Sequence, residues 1–141
     1  MAEDPQLMVY RVIGTRLNDA TDAGTGVYVS YVPENKTRPY LLVSVPSAPE
    51  RNFHLNQSDP TMTVQVKAVA TSEAAALTIR QQAIDLLDDE GEQDGGALVG
   101  GDDWHILKAM VQERMSMSYE VGTTRIFEQI FNIRLTLQER I

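Results

Sequence analysis

The sequence predicts an α+β domain: an antiparallel sheet of about five strands with two helices packed on one face. Three observations predict it. Two stretches carry apolar residues at helical spacing, and several others alternate apolar and polar residues with the period of a strand. The elements follow one another as helix, two strands, strand, helix and two strands, an order in which strands meet across hairpins. At 141 residues the chain is the size of a single domain. It is read as one unit, 1–141, with long loops at about 46–60 and 88–103.

The first helix is expected from about Glu3 to Ala20, where Leu7, Val9, Tyr10, Ile13 and Leu17 recur at helical spacing before the Gly24-Thr25-Gly26 loop. GVYVSYV, from Gly26 to Val32, is rich in β-branched and aromatic residues and stops at Pro33. The polar stretch PENKTRP then leads into YLLVSVP, from Tyr40, so the pair is expected to be an antiparallel hairpin with a long turn. PSAPERNFHLNQSDP, from Pro46 to Pro60, holds three prolines and only two large apolar residues, Phe53 and Leu55, which marks a loop.

Strand alternation resumes with Met62, Val64, Val66, Ala68 and Ala70. Ser72 is placed to cap a helix from about Glu73 to Asp88, with Glu73 in the first turn, where the helix dipole favours an anion. Its expected buried stripe is Ala76, Ile79, Ala83, Ile84 and Leu87. DDEGEQDGGALVGGDD, from Asp88 to Asp103, is acidic and glycine-rich and reads as a mobile, solvated loop. Two long strands close the chain. In the first, Leu107, Ala109, Val111, Met115, Met117 and Tyr119 are expected on one face, with a bulge or bend where Glu113 interrupts them. In the second, Phe127, Phe131, Ile133, Leu135 and Leu137 lie opposite Glu128, Asn132, Arg134 and Thr136.

Composition excludes several functions. With 20 acids against 12 bases the net charge is −8, and no cluster of Lys and Arg offers itself to a phosphate backbone. There is no cysteine, hence no disulfide, thiolate metal site or cysteine nucleophile. No apolar run approaches the roughly 20 residues that span a bilayer, and the acidic start MAEDPQLMVYRV is unlike a secretory leader, so a cytoplasmic protein without membrane contact is expected.

The motifs also speak against catalysis. Glu90, Glu92, Asp94 and Gly95 imitate the first half of a calcium loop, but the twelfth position is Gly101 where a bidentate Glu is needed. Gly95, Gly96, Gly100 and Gly101 lack the Lys-Ser/Thr of a phosphate loop, and their acidic flanks would repel a phosphate. His54 and His105 belong to no helical ligand pair, and no serine sits in a nucleophile elbow. Met110, Met115 and Met117, on alternating strand positions, are expected to pack in the core. No catalytic residue, metal or cofactor is therefore predicted.

The order of segments does resemble a known family. The N-terminal helix, followed by VYVSYVPENKTRPYLLVSV with Pro-Tyr opening its second strand, resembles the tail-completion or tail-terminator proteins of long-tailed bacteriophages. TMTVQVKAVATSEAAALTIRQQAIDLLDD is similar to that family's passage from strand to helix, and WHILKAMVQERMSMSYE with RIFEQIFNIRLTLQ is similar to its closing strand pair. The resemblance covers nearly the whole chain, apart from the acidic and proline-rich loops.

It implies a tail-terminator-like fold and a structural, non-enzymatic role in the virion. A homo-hexameric ring would cap the head-proximal end of the tail tube, stop its polymerisation and join the tail to a neck, head-completion or connector protein. Genomic DNA would pass through the lumen without specific binding, and assembly would take place in the host cytoplasm. The two loops would then supply oligomer and partner contacts through Arg51, Phe53 and His54 in one, and Asp88, Asp89, Glu92, Asp94 and Trp104 in or beside the other. Both loops are expected to be poorly ordered until neighbours fix them. Two alternatives remain: another neck ring such as a head-completion or stopper protein, and a small oligomeric ligand-binding domain or enzyme. The second requires His54 or His105 to meet a carboxylate and an arginine inside a cavity.

Overall fold

The computed structural model describes residues 3–45 and 61–140. Helix α1 (Pro5–Leu17) begins where Asp4 accepts a hydrogen bond from the Gln6 amide and Pro5 occupies the first turn. It ends three residues earlier than its spacing predicts, because Asn18 turns to an extended conformation and Asp19 adopts φ +56°. Strands β1 (Val27–Val29), β2 (Tyr40–Ser44) and β3 (Thr61–Ala70) follow. Helix α2 (Glu73–Leu87) is capped by Ser72, whose Oγ accepts from the Ala75 amide at 3.3 Å. It buries Ala76, Ile79, Ala83, Ile84 and Leu87, the stripe expected of it. A single 3₁₀ turn (Glu92–Asp94) precedes the long strands β4 (Trp104–Val121) and β5 (Thr124–Glu139).

The fold is α+β, with five strands in the order β1-β2-β3-β5-β4. The sheet is mixed. β1 and β2 run parallel, with Val27 beside Leu41 and Val29 beside Val43, and do not form the expected antiparallel hairpin. Parallel neighbours need a connection that returns the chain to its starting end, and β1 is only three residues long, about 10 Å. Residues 30–39 therefore suffice. They return over the face bearing Tyr28, where the Lys36 ammonium lies 6.0 Å from the Tyr28 ring and Tyr40 meets that ring edge-on.

The register fixes the two faces of the sheet. Met62, Val64, Val66 and Ala68 on β3 pair with Leu135, Ile133, Phe131 and Gln129 on β5, and this face meets α1 and α2 in one apolar core. Phe131, Met8, Ile13, Leu41, Ile79 and Leu87 are fully buried there. Burial of such side chains, at about 25 cal/mol per Å² of apolar surface, is the main stabilising term.

β4 departs from simple alternation twice, with register shifts between Ile106 and Lys108 and between Val111 and Glu113. The second shift is the interruption that Glu113 signals. Each inserts one residue and turns the following side chains over. Ile106, Ala109 and Val111 therefore face the helices beside Leu137, Leu135 and Ile133, whereas Met115, Met117 and Tyr119 join Ile130, Glu128 and Ile126 on the opposite face. The expectation that the methionines pack in the core is overturned: Met110, Met115 and Met117 are 41%, 39% and 55% exposed.

Candidate assembly surfaces

The acidic segment 88–103 is not an open solvated excursion but is fastened along the edge of β4. The Asp88 carboxylate accepts from the Val111 amide at 2.9 Å, the Asp89 amide donates to the Ala109 carbonyl at 3.0 Å, and Glu92 Oε2 accepts from the Ile106 amide at 2.8 Å. Leu98 is fully buried in the core. Gly91 lies so close to β4 that a Cβ there would stand 2.5 Å from the Lys108 Cα. Carboxylates thus occupy the outward amides that an edge strand would otherwise present to another chain.

His105, Glu92 and Arg140 converge beside this segment. His105 Nδ1 lies 3.1 Å from Glu92 Oε1, and Arg140 Nη1 lies 3.1 Å from His105 Nε2. Since a guanidinium only donates, Nε2 accepts and Nδ1 carries the proton given to Glu92, an assignment made from the hydrogen-bond network. Arg140 also donates through Nε to the Gly101 carbonyl at 2.8 Å. Both ring nitrogens are therefore engaged, and the group ties the end of β5 to the start of β4. It is the trio that the enzyme alternative called for, but it lines neither of the two clefts described below.

Burial alone would raise the Glu92 carboxyl, but the hydrogen bonds from His105 and the Ile106 amide outweigh it and hold the group below its usual value of 4.5. A carboxyl depressed in the folded state adds stability above its ordinary range, and loses it as pH falls through the folded value. Glu92→Gln should cost about 1–2 kcal/mol at neutral pH, the scale of a charge-assisted hydrogen bond. The difference between variant and parent should close as the pH is lowered below 4.5. Chemical denaturation across that range measures it, and a gap independent of pH would refute the role of the charge.

The expected contact residues separate accordingly. Trp104 is 5% exposed and donates its indole N–H to the Glu3 carbonyl, so it belongs to the core. Asp88 and Glu92 spend their carboxylates on β4, leaving Asp89 and Asp94 as the exposed acids of the set. Arg51, Phe53 and His54, with the rest of 46–60, lie outside the described residues.

Two clefts accompany these surfaces. One, of about 390 Å³, lies between α1 and the acidic segment and is lined by Arg11, Val12, Thr15, Arg16 and residues 97–100. Its arginines are partnered, Arg11 by Glu3 and Arg16 by the Leu86 carbonyl and Glu90. The other, of about 140 Å³, lies near the start of α2 among Glu73, Ser116, Ser118, Phe127 and Gln129. Neither contains a nucleophile paired with a base. Among the described residues no group of three or more His, Asp or Glu could hold a metal, and no helix is long and apolar enough to cross a membrane.

The face of the sheet away from the helices carries a feature that sequence reasoning missed. Lys67 Nζ stands 3.5 Å from Glu128, and the Tyr119 hydroxyl donates to Glu128 at 3.1 Å, amid Val69, Ile126 and Ile130, which are nearly fully buried. Burial, then the charge and hydrogen bond of Glu128, raise the Tyr119 phenol above its ordinary value. Glu128 and Lys67, each inside an apolar strand, were the available signal, but only the register brings them to neighbouring positions.

No family model matches the chain, and no curated protein does. A search of solved structures does find matches. The chain shares its fold with a component of a gene transfer agent virion. That structure is described as the virion of a native gene transfer agent particle, and the two agree with a TM-score of 0.61 over 93% of each chain, at 14% identity. A second solved structure, bearing no functional description, matches with a TM-score of 0.52 at 13% identity, over 93% of this chain and 95% of its own. At these identities the likeness is one of fold.

Proposed function

We propose that this chain is a structural protein of a phage-like virion, and within it a subunit of a hexameric ring at the head-proximal end of the tail tube. The carrying observation is the likeness of fold, from end to end, to a chain of a gene transfer agent virion. The surfaces suit assembly better than catalysis: a row of exposed apolar side chains on β4, exposed acids at Asp89 and Asp94, and a polar trio whose members bond one another and the adjacent backbone. Six copies of a chain with net charge −8 would line or flank a channel through which DNA passes without being held. The ring would end growth of the tube and meet a neck or connector protein on its other side. Arg51, Phe53, His54, Asp89 and Asp94 are its proposed contact residues.

Particles assembled without this protein test the reading. Tails of uncontrolled length are the expected result. Full heads beside unattached tails of normal length would assign the chain to another neck ring, and particles unchanged in form would remove it from the virion altogether.

A further inference from the structure

β4 is an edge strand, and the acidic segment covers only its first half. From Ile106 to Val111 its outward groups are taken by Glu92, Asp89 and Asp88. From Gln112 to Val121 the one bond that reaches it from outside the sheet, among the described residues, is Arg80 Nη1 to the Met115 carbonyl at 3.3 Å. Along this open half Met115, Met117, Tyr119 and Val121 stand 39%, 55%, 38% and 53% exposed on one face. A long, free, partly apolar edge is a template for another strand.

Its alternation states which strand fits. β4 and β5 are joined by the two residues Gly122 and Thr123, with Val121 paired to Thr124. The pair that closes such a turn is hydrogen-bonded, so Val121, Tyr119, Met117 and Met115 direct their backbone groups inward to β5. Glu120, Ser118, Ser116 and Arg114 direct theirs outward. A second copy pairing antiparallel through those outward groups must match even residues with even ones.

Centring the pair on Met117 sets Arg114 opposite Glu120 and Ser116 opposite Ser118, each twice, with Met115 opposite Tyr119 on the other face. Slipping the pairing by two residues either way sets Arg114 against Ser118 or Gly122, and the charge match is lost. Glu120 has only an exposed partner at present, Arg125 at 3.7 Å. Arg114 has no carboxylate among the described ion pairs, and it faces Arg80, which partial burial and this like charge hold below the usual arginine value.

We propose that two copies of this chain associate through the open half of β4, antiparallel and centred on Met117, joining their sheets into one. The partner's Glu120 then neutralises Arg114. The contact is isologous and closes after two copies, so it does not by itself build a ring. It is a property of the free protein, and the dimer and the ring are read by different experiments.

Sedimentation of the purified full chain should show a monomer–dimer equilibrium. Arg114→Glu and Glu120→Arg should each weaken it by about tenfold or more, since two attractive cross-strand pairs become repulsive, and the two combined should restore it. Because the chain has no cysteine, a single introduced one reports the register. Met117→Cys should give a disulfide-linked dimer under mild oxidation, whereas Ser116→Cys and Ser118→Cys should not. A protein that stays monomeric, a double variant no better than the single ones, or cross-linking equal at all three positions would overturn the proposal. Circular dichroism of each variant separates loss of pairing from loss of fold.

Discussion

Phe131→Ala should destabilise the domain by about 3–5 kcal/mol, the range for truncating a buried phenylalanine. Phe131 is 0% exposed on β5, the strand flanked by β3 and β4, and it pairs with Val66 on one side and Arg114 on the other. Hydrogen-bonded neighbours on both sides fix the backbone, so the space cannot close by local collapse. For a domain holding about 5–15 kcal/mol in all, such a loss lowers the thermal midpoint by about 10 °C or more. Phe127→Ala, four residues along the same face but only half-buried, should cost clearly less. Equal midpoints for the two variants would show that Phe131 is not the centre of the core.

Gly91→Ala should detach the acidic segment from β4. A Cβ at this position would lie 2.5 Å from the Lys108 Cα and 2.6 Å from the Leu107 carbonyl oxygen, both backbone atoms that cannot swing aside. The segment would have to lift, and with it the carboxylates that hold the Ile106 and Val111 amides. A loss of about 2–3 kcal/mol is expected, the scale of strain combined with buried hydrogen bonds left unmade. The readout is amide hydrogen exchange, which should accelerate over residues 104–111 while α2 keeps its protection. Gly95→Ala is the control. Gly95 has φ +73° and an added methyl would meet nothing within 4 Å, so that change should cost only about 1 kcal/mol for the left-handed backbone. Unchanged exchange in Gly91→Ala would mean that the segment does not guard the edge.

Local chemistry carried much of the fold. Ser72 could be named as a cap because a hydroxyl before an alanine-rich helical run has one favourable use, and the five buried residues of α2 follow from a 3.6-residue period. β3 was legible for the same reason with period two. β1 and β2 were recognisable as strands, but their relative direction was not, because a polar connection of ten residues can turn back or return and nothing in PENKTRP chooses between them. The candidate surfaces were harder to read. The composition of 88–103 describes a solvated loop, and acids that find backbone amides are indistinguishable in sequence from acids that find water.

Residue type and short-range period alone fixed the classes of element, their order, the apolar stripes of α2, β3 and β5, and the absence of cysteine chemistry, whereas on α1 the expected Leu7 is 63% exposed and Met8 is buried in its place. Only the tertiary structure decided what depends on register and on the meeting of distant residues. It set β1 parallel to β2, turned Ala109 and Val111 inward at one inserted residue and Met115 and Met117 outward at the next, brought Lys67 to Glu128, and laid the acidic segment on half of β4. The physical reason is the same in each case. A side chain's periodicity is local, whereas a one-residue shift or a hydrogen bond between strands far apart in sequence is settled by the packing of the whole sheet.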